Sequence, residues 1–208
     1  MYIPDDFKET RPDEIKRIIT DFPLACMVAS TSEGLIATHI PLTLKDEHTL
    51  VGHIALKNDF HTTIPAGQEI LCIFTGPQGY VSANYYPSKL IDHKKVPTWN
   101  YQVVHLYGNI QYFTDTKTKL LALGLLTKQS EQKANGDKAW KMSDAPKDYL
   151  MEQLEHIIAF EIRITKCLAK SKLSQNRSEQ DFKSVINELQ QREEYLLANS
   201  MQRLTRND

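Results

Sequence analysis

Residues 24–42, LACMVASTSEGLIATHIPL, read as two strands joined by a tight turn. Apolar and β-branched runs flank Ser32-Glu33-Gly34, and a glycine there gives the backbone the freedom that a reversal needs. The expected strands are 24–30 and 35–42. Further strand-like runs follow at 49–55, 69–75, 98–113 and 157–165. Side chains alternate along a strand, so Val103, His105, Tyr107 and Asn109 share one side of the 98–113 run. In 157–165, Phe160, Ile162 and Ile164 point inward, with Glu161 and Arg163 outward. Six or seven short strands, mostly sequential and antiparallel, tend to close into a barrel because closure removes exposed edges. Regular strand–helix alternation is missing, which argues against a doubly wound parallel sheet. The chain therefore reads as mainly β with α, an antiparallel barrel with peripheral helices.

Thr10-Arg11-Pro12-Asp13 opens the first helix, with Ile15, Ile18 and Ile19 on its apolar face and Phe22-Pro23 at its end. Residues 58–64 suit a single helical turn. Thr114-Asp115 starts a helix that buries Leu120, Leu121, Leu123, Leu125 and Leu126. The polar stretch 130–144, with Asn135-Gly136, reads as a loop, and 148–154 as a short helix. Ser178-x-x-Asp181 caps a final helix in which Phe182, Val185, Ile186 and Leu189 recur at helical spacing. Its stripe runs on through Leu196, Leu197, Met201 and Leu204, and either packs on the barrel or meets a partner chain. One domain over 1–208, with a C-terminal helical segment at about 178–205, is the expected organisation.

The 208 residues are 41% hydrophobic, enough for a sizeable core. Lys and Arg number 25 against 26 acidic residues, for a net charge of −1. A dedicated DNA-binding domain usually carries a basic excess, so a nucleic-acid role needs a local patch or a partner. Cys26, Cys72 and Cys167 lie far apart in apolar runs and read as small buried hydrophobes. The N-terminal MYIPDDFKET has neither a basic nor an apolar signal region, and no apolar run reaches membrane-spanning length. A soluble cytoplasmic protein with no membrane association is expected.

Residues 76–108, GPQGYVSANYYPSKLIDHKKVPTWNYQVVHLYG, concentrate aromatic, amide and hydroxyl side chains. Such a stretch suits the lining of a planar, anionic ligand better than a core. Gly76-Pro77-Gln78-Gly79 reads as a turn. Lys89, Ser88 and Thr98 offer donors for a phosphate, Trp99 and the tyrosines offer planar faces, and Asn100 could bond the polar edge of a ring. The competing reading makes Trp99 and Tyr101 core or dimer-interface aromatics, with Lys89 solvated. Residues 166–177, KCLAKSKLSQNR, hold four cations and no acid, a solvated face or a seat for phosphate or a nucleic-acid backbone. Seven histidines include no H-x-x-x-H or H-E-x-x-H pair, so no metal site is expected. Dinucleotide and P-loop patterns are absent. No Ser–His–acid order is defensible among Ser82, Ser88, Tyr85, Tyr86 and Lys89, so no catalytic residue is assigned.

Taken in order, these segments resemble the PaiB family of bacterial FMN-binding negative transcriptional regulators. The resemblance rests on Met1-Tyr2-Ile3-Pro4, Ala37-Thr38-His39-Ile40-Pro41-Leu42 and Gly52-His53-Ile54-Ala55. It continues through Tyr80-Val81-Ser82, Tyr86-Pro87-Ser88-Lys89, the segment 96–101 and Val104-His105-Leu106-Tyr107-Gly108. It closes with Ser143-Asp144-Ala145-Pro146 and Lys172-Leu173-Ser174-Gln175-Asn176-Arg177. The resemblance implies a split antiparallel β-barrel with peripheral helices and a C-terminal helix, assembled as a homodimer with FMN in a groove between subunits. It implies a role in repressing sporulation and degradative-enzyme genes, while how such proteins act on DNA does not follow from these residues. Lys89, Ser88 and Arg177 are then the candidates for the phosphate, with His53 and Asn58 nearby. Trp99, Asn100 and Tyr86 would border the ring, and Ser82, Thr98 and Gln175 complete the cofactor set. Leu56 stands where the family typically has an arginine, and Lys57 would face the other way if the strand before it continued. A flavin-dependent oxidoreductase of flavin-reductase type is the alternative, and a haem-binding split barrel using His39, His53, His61, His93 or His105 is a lesser one.

Overall fold

A computed structural model describes residues 1–204, so the last position of the expected 178–205 helical segment lies outside the described residues. Seven strands form one sheet in the order β2-β1-β5-β6-β7-β4-β3. They are β1 (Leu24–Thr31), β2 (Gly34–Pro41), β3 (Thr43–Asp46), β4 (Thr49–Ala55), β5 (Glu69–Val81), β6 (Thr98–Phe113) and β7 (Ile157–Lys172). The helices are α1 (Pro12–Asp21), α2 (Phe60–Thr63), α3 (Lys89–Asp92), α4 (Thr116–Asn135), α5 (Lys147–Leu154), α6 (Glu179–Gln191) and α7 (Tyr195–Gln202). The chain forms two compact units. Among the described residues, one comprises Met1–Ile18, Thr75–Val104 and 168–204, and the other Ile19–Phe74 and His105–Cys167.

In the second unit the expected hairpin is present, with β1 and β2 paired from Leu24↔Pro41 to Thr31↔Gly34. Ala25, Met27 and Ala29 of β1 are buried while the residues between them are less so, as alternation requires. Gly34 has φ +122°, a conformation that favours glycine at the reversal. A short strand not expected from the sequence, β3, pairs with β4, and β4 pairs along β7 from Thr49↔Arg163 to Ala55↔Ile157. Helix α4 packs Ala122 and Leu125 on Val51 and Ala159. Asp115 caps it by accepting from Thr118 N.

The polar stretch expected to be a loop from 130 stays helical to Asn135. Two side chains of α4 explain why. Gln129 Nε2 donates to Thr20 O at 3.1 Å and Lys133 Nζ to Asp21 O at 2.8 Å, so they satisfy the last carbonyls of α1. Buried Lys119 does the same for α5, donating to Leu154 O at 2.8 Å. Cys72 is buried and burial pushes its thiol up to about 12, but Cys26 is only half-buried and Cys167 is exposed, so the expectation of three buried cysteines holds for Cys72 alone.

In the first unit, Gly76-Pro77-Gln78-Gly79 is not a turn but the continuation of β5. Its glycines mark close approach instead. A Cβ on Gly79 would lie 2.9 Å from Leu197 Cδ2, and one on Gly76 would lie 3.2 Å from Gln102 Cβ. The expected final helix divides at Glu193, whose φ is +63°. Glu193 N donates to Gln190 O and Glu194 N to Leu189 O, the paired bonds of a Schellman ending. Phe182, Val185, Ile186 and Leu189 of α6 and Leu197, Ala198 and Met201 of α7 form one core with Val81, Tyr86 and Leu173. The stripe thus packs within this unit, except that Leu196 faces solvent.

Candidate functional site

The second unit holds a cleft of about 1140 Å³ between the β1–β2 hairpin and the segment that leaves β4. One wall carries Ser30, Thr31, Thr38 and Glu33, and the other Lys57, Asn58, Asp59 and Thr63, with Gln68 and Phe60 also in the lining. Hydrogen bonds hold Thr31, Gln68 and Asn58 in place. Thr31 Oγ1 donates to Gly34 O at 2.9 Å and Gln68 Nε2 to Ser30 O at 2.6 Å, which fixes the hairpin rim. Asn58 Oδ1 accepts from Phe60 N at 2.9 Å, so its Nδ2 is the hydrogen-bonding end that remains. Asn58 O is 2.6 Å from His61 Nδ1. Strand β4 ends at Ala55, so the alternation that would turn Lys57 away stops before it, and Lys57 lines the cleft. The cleft's size and its hydroxyl, amide and ammonium donors fit a phosphorylated, hydroxyl-rich ligand.

Of the sequence-predicted cofactor residues, Asn58 lines this cleft. His53 stands on β4, half-buried, and its Nδ1 is buried with no hydrogen-bond partner. Burial pulls its pKa below the usual histidine value. His105 on β6 shares both properties.

The other predicted residues lie in the first unit, where most have local partners. Ser82 Oγ accepts from Asn84 N at 3.2 Å, and Lys89 Nζ donates to Asn84 Oδ1. Ser88 donates through N at 3.1 Å and through Oγ at 2.6 Å to buried Asp181. Trp99 is half exposed, donates through Nε1 to Gln78 Oε1 at 3.2 Å and lies 6.3 Å from the Tyr80 ring. Tyr86 is buried, its hydroxyl has no partner, and the Arg177 guanidinium lies 5.1 Å from its ring centre. Asn100 is fully buried and exchanges hydrogen bonds with Ser174 Oγ. Gln175 clamps the bend after β7 by accepting from Leu173 N and donating to Ser171 O. Thr98, Asn100 and Arg177 come together at a second, small cavity of about 50 Å³, which Lys172, Ser174 and Asn176 also line.

The hairpin rim, Ser30 to Thr38, escaped sequence reasoning as a binding element. Its hydroxyls look like ordinary turn chemistry, and only the fold sets them opposite residues 55–63. Lys172 stood inside a run of cations with nothing to single it out.

A family model described as "Putative FMN-binding domain" matches residues 1–166. The protein named "Protease synthase and sporulation protein PAI 2" from Bacillus subtilis is 36% identical over 198 residues, covering 93% of this chain and 91% of that one. Among solved structures, the FAD and heme binding protein from Mycobacterium smegmatis has a TM-score of 0.57 at 16% identity. The match covers 79% of this chain and 73% of that one. The flavocytochrome Anf3 from Azotobacter vinelandii has a TM-score of 0.57 at 14% identity, covering 84% and 74%. At such identities the likeness speaks for the fold, a split antiparallel β-barrel with peripheral helices.

Proposed function

The chain belongs to the PaiB family of FMN-binding domains, and on that premise we propose that it binds FMN and acts as a homodimeric, flavin-responsive negative regulator of transcription. The observation that carries the flavin reading is the cleft between the hairpin and residues 55–63, with Lys57 and Asn58 on one wall and Ser30, Thr31 and Thr38 on the other. Lys57 would hold the phosphate as a point charge in place of the arginine that Leu56 replaces. Asn58 Nδ2 and the rim hydroxyls would bind the ribityl chain. When bound, FMN would supply a redox-active ring, while this chain's residues bind, orient and shield it.

The regulator reading is supported by the 36% identity to the sporulation protein, which runs through nearly the whole of both chains. The dimer reading is supported by β2, which ends the sheet order and leaves Leu35 76% exposed, an edge suited to a partner. Acidic residues of α6 argue that any DNA contact is made elsewhere or through a partner.

Titrating FMN into the apo-protein should quench flavin fluorescence saturably, and Asn58→Ala should weaken binding several-fold. No quenching at tens of micromolar FMN would sink the cofactor assignment. Light scattering should give twice the chain mass. Oxidation of NADH with added FMN above the no-protein rate would move the assignment to the oxidoreductase alternative.

A further inference from the structure

We propose that the small cavity in the first unit is a binding site for a single phosphate group, separate from the flavin cleft and independent of the flavin reading. Lys172, Arg177, Thr98, Asn100, Ser174 and Asn176 line it, and among the described residues no acidic side chain does. Its volume of about 50 Å³ is several times the space a single water needs, enough for one tetrahedral oxyanion and too small for a nucleotide base or a flavin ring.

The walls are built rather than incidental. Ser174 is a buried serine with φ +63°, a left-handed conformation that a non-glycine residue holds only when its surroundings enforce it. Asn100 enforces it by bonding Ser174 Oγ, and Gln175 closes the bend through two main-chain bonds. The bend returns Asn176 and Arg177 to the cavity that Lys172 lines.

Charge is the second observation. Lys172 Nζ donates to Thr98 Oγ1 and to Trp99 O at 2.6 Å, both neutral oxygens, which leaves a third N–H for a ligand. Lys170 is buried beside the rings of Tyr2 and Tyr101 and adds positive potential to the same strand end. Burial, with the charges of Lys170 and Arg177, holds the Lys172 ammonium below its usual pKa. Clustered cations around a partly dry cavity destabilise one another, and a bound oxyanion relieves that repulsion. The ligand class is phosphate, either as the free ion or as the terminal monoester of a small metabolite.

Isothermal titration calorimetry tests this on the flavin-free full chain in low-salt buffer, with inorganic phosphate in one arm and methyl phosphate in the other. Saturable binding of inorganic phosphate at low millimolar or tighter is expected. Binding of methyl phosphate with similar affinity would identify the monoester as the source, and exclusion of methyl phosphate would identify the free ion. Lys172→Met should weaken binding at least tenfold, and Lys166→Met, whose cation lies over Tyr107, should leave it within twofold. Asn176→Asp places a repelling charge at an exposed position, so it should also abolish binding without disturbing the core. Phosphate binding should persist unchanged with FMN present. No saturable heat at 50 mM phosphate (about tenfold above the expected range), equal binding in Lys172→Met and Asn176→Asp, or displacement by FMN would each overturn the proposal.

Discussion

Gln102 Nε2 donates to Glu14 Oε1 across 2.8 Å, and both side chains are buried. The same amide donates to Ser171 Oγ, which donates to Glu9 Oε2, while Arg17 grips both oxygens of Glu14 at 2.8 and 2.9 Å. Charge and hydrogen bonds thus tie α1, β6 and β7 together inside the first unit. Such a network is stable only while every member is satisfied.

Acid should therefore weaken the fold through Glu14. Burial alone would raise its pKa, but hydrogen bonds from Arg17 and Gln102 and the charges of Arg17 and Arg203 outweigh that and hold it at about 2. A carboxyl with a folded pKa below its ordinary 4.5 contributes stability that is fully present above about pH 4.5. That contribution is lost as pH falls toward 2. Glu14→Gln should cost on the order of 2–3 kcal/mol at pH 7. The deficit should shrink in urea melts at pH 3. A deficit of equal size at both pH values would locate the effect in packing instead.

Two glycines of the second unit should respond in opposite directions to alanine. A Cβ on Gly108 would lie 2.5 Å from Arg163 O and 2.7 Å from Ile162 Cγ2, and the backbone oxygen has nowhere to go. Gly108→Ala should lose roughly 3 kcal/mol or more, or fail to give soluble protein. Gly124 sits within α4, where the new methyl would meet only Met142 Sδ at 3.7 Å. Gly124→Ala should gain about 0.5–1 kcal/mol, because alanine restricts the unfolded chain and favours helix. Thermal melts of the pair would check both signs.

The hairpin was legible because alternation and the Ser32-Glu33-Gly34 reversal agree with each other. The extension of β5 was not, since Gly76-Pro77-Gln78-Gly79 carries turn residues whose real use, close approach to Leu197 and Gln102, depends on distant segments. The tail of α4 was hidden for a related reason: Gln129 and Lys133 gain their helix-supporting role from carbonyls of α1. At the candidate site, Asn58 is the one expected cofactor residue that lines the larger cleft. The direction of Lys57 depends on where β4 ends, and that end, at Ala55 paired with Ile157, is set by the partner strand and not by local sequence. Asn100 looked like a ligand donor, and its burial against Ser174 appears only in three dimensions.

Ser88 and Asp181 make a second testable tie. Burial would raise the Asp181 pKa, but two hydrogen bonds from Ser88 and one from Ser178 outweigh it and lower the carboxyl. These bonds join the start of α3 to the first turn of α6. Asp181→Ala should cost about 2–3 kcal/mol, since it leaves the Ser88 donors without their acceptor, and Ser88→Ala about half that. Hydrogen exchange should quicken in the segment that carries exposed Leu90 and Ile91 before it quickens in β1. Uniform acceleration would show that the tie has no local role.

Lys57 offers the sharpest test of how a flavin would be read. If its ammonium meets the phosphate, Lys57→Met should weaken FMN binding about tenfold, the scale of one charge-assisted contact. Riboflavin has the ring and ribityl chain but no phosphate, so its affinity should change less than twofold in the same variant. Raising salt should weaken FMN binding to the wild type more than to the variant, because the lost charge is the one that salt screens. Equal losses for FMN and riboflavin would mean that Lys57 supports the shape of the cleft and does not recognise the phosphate.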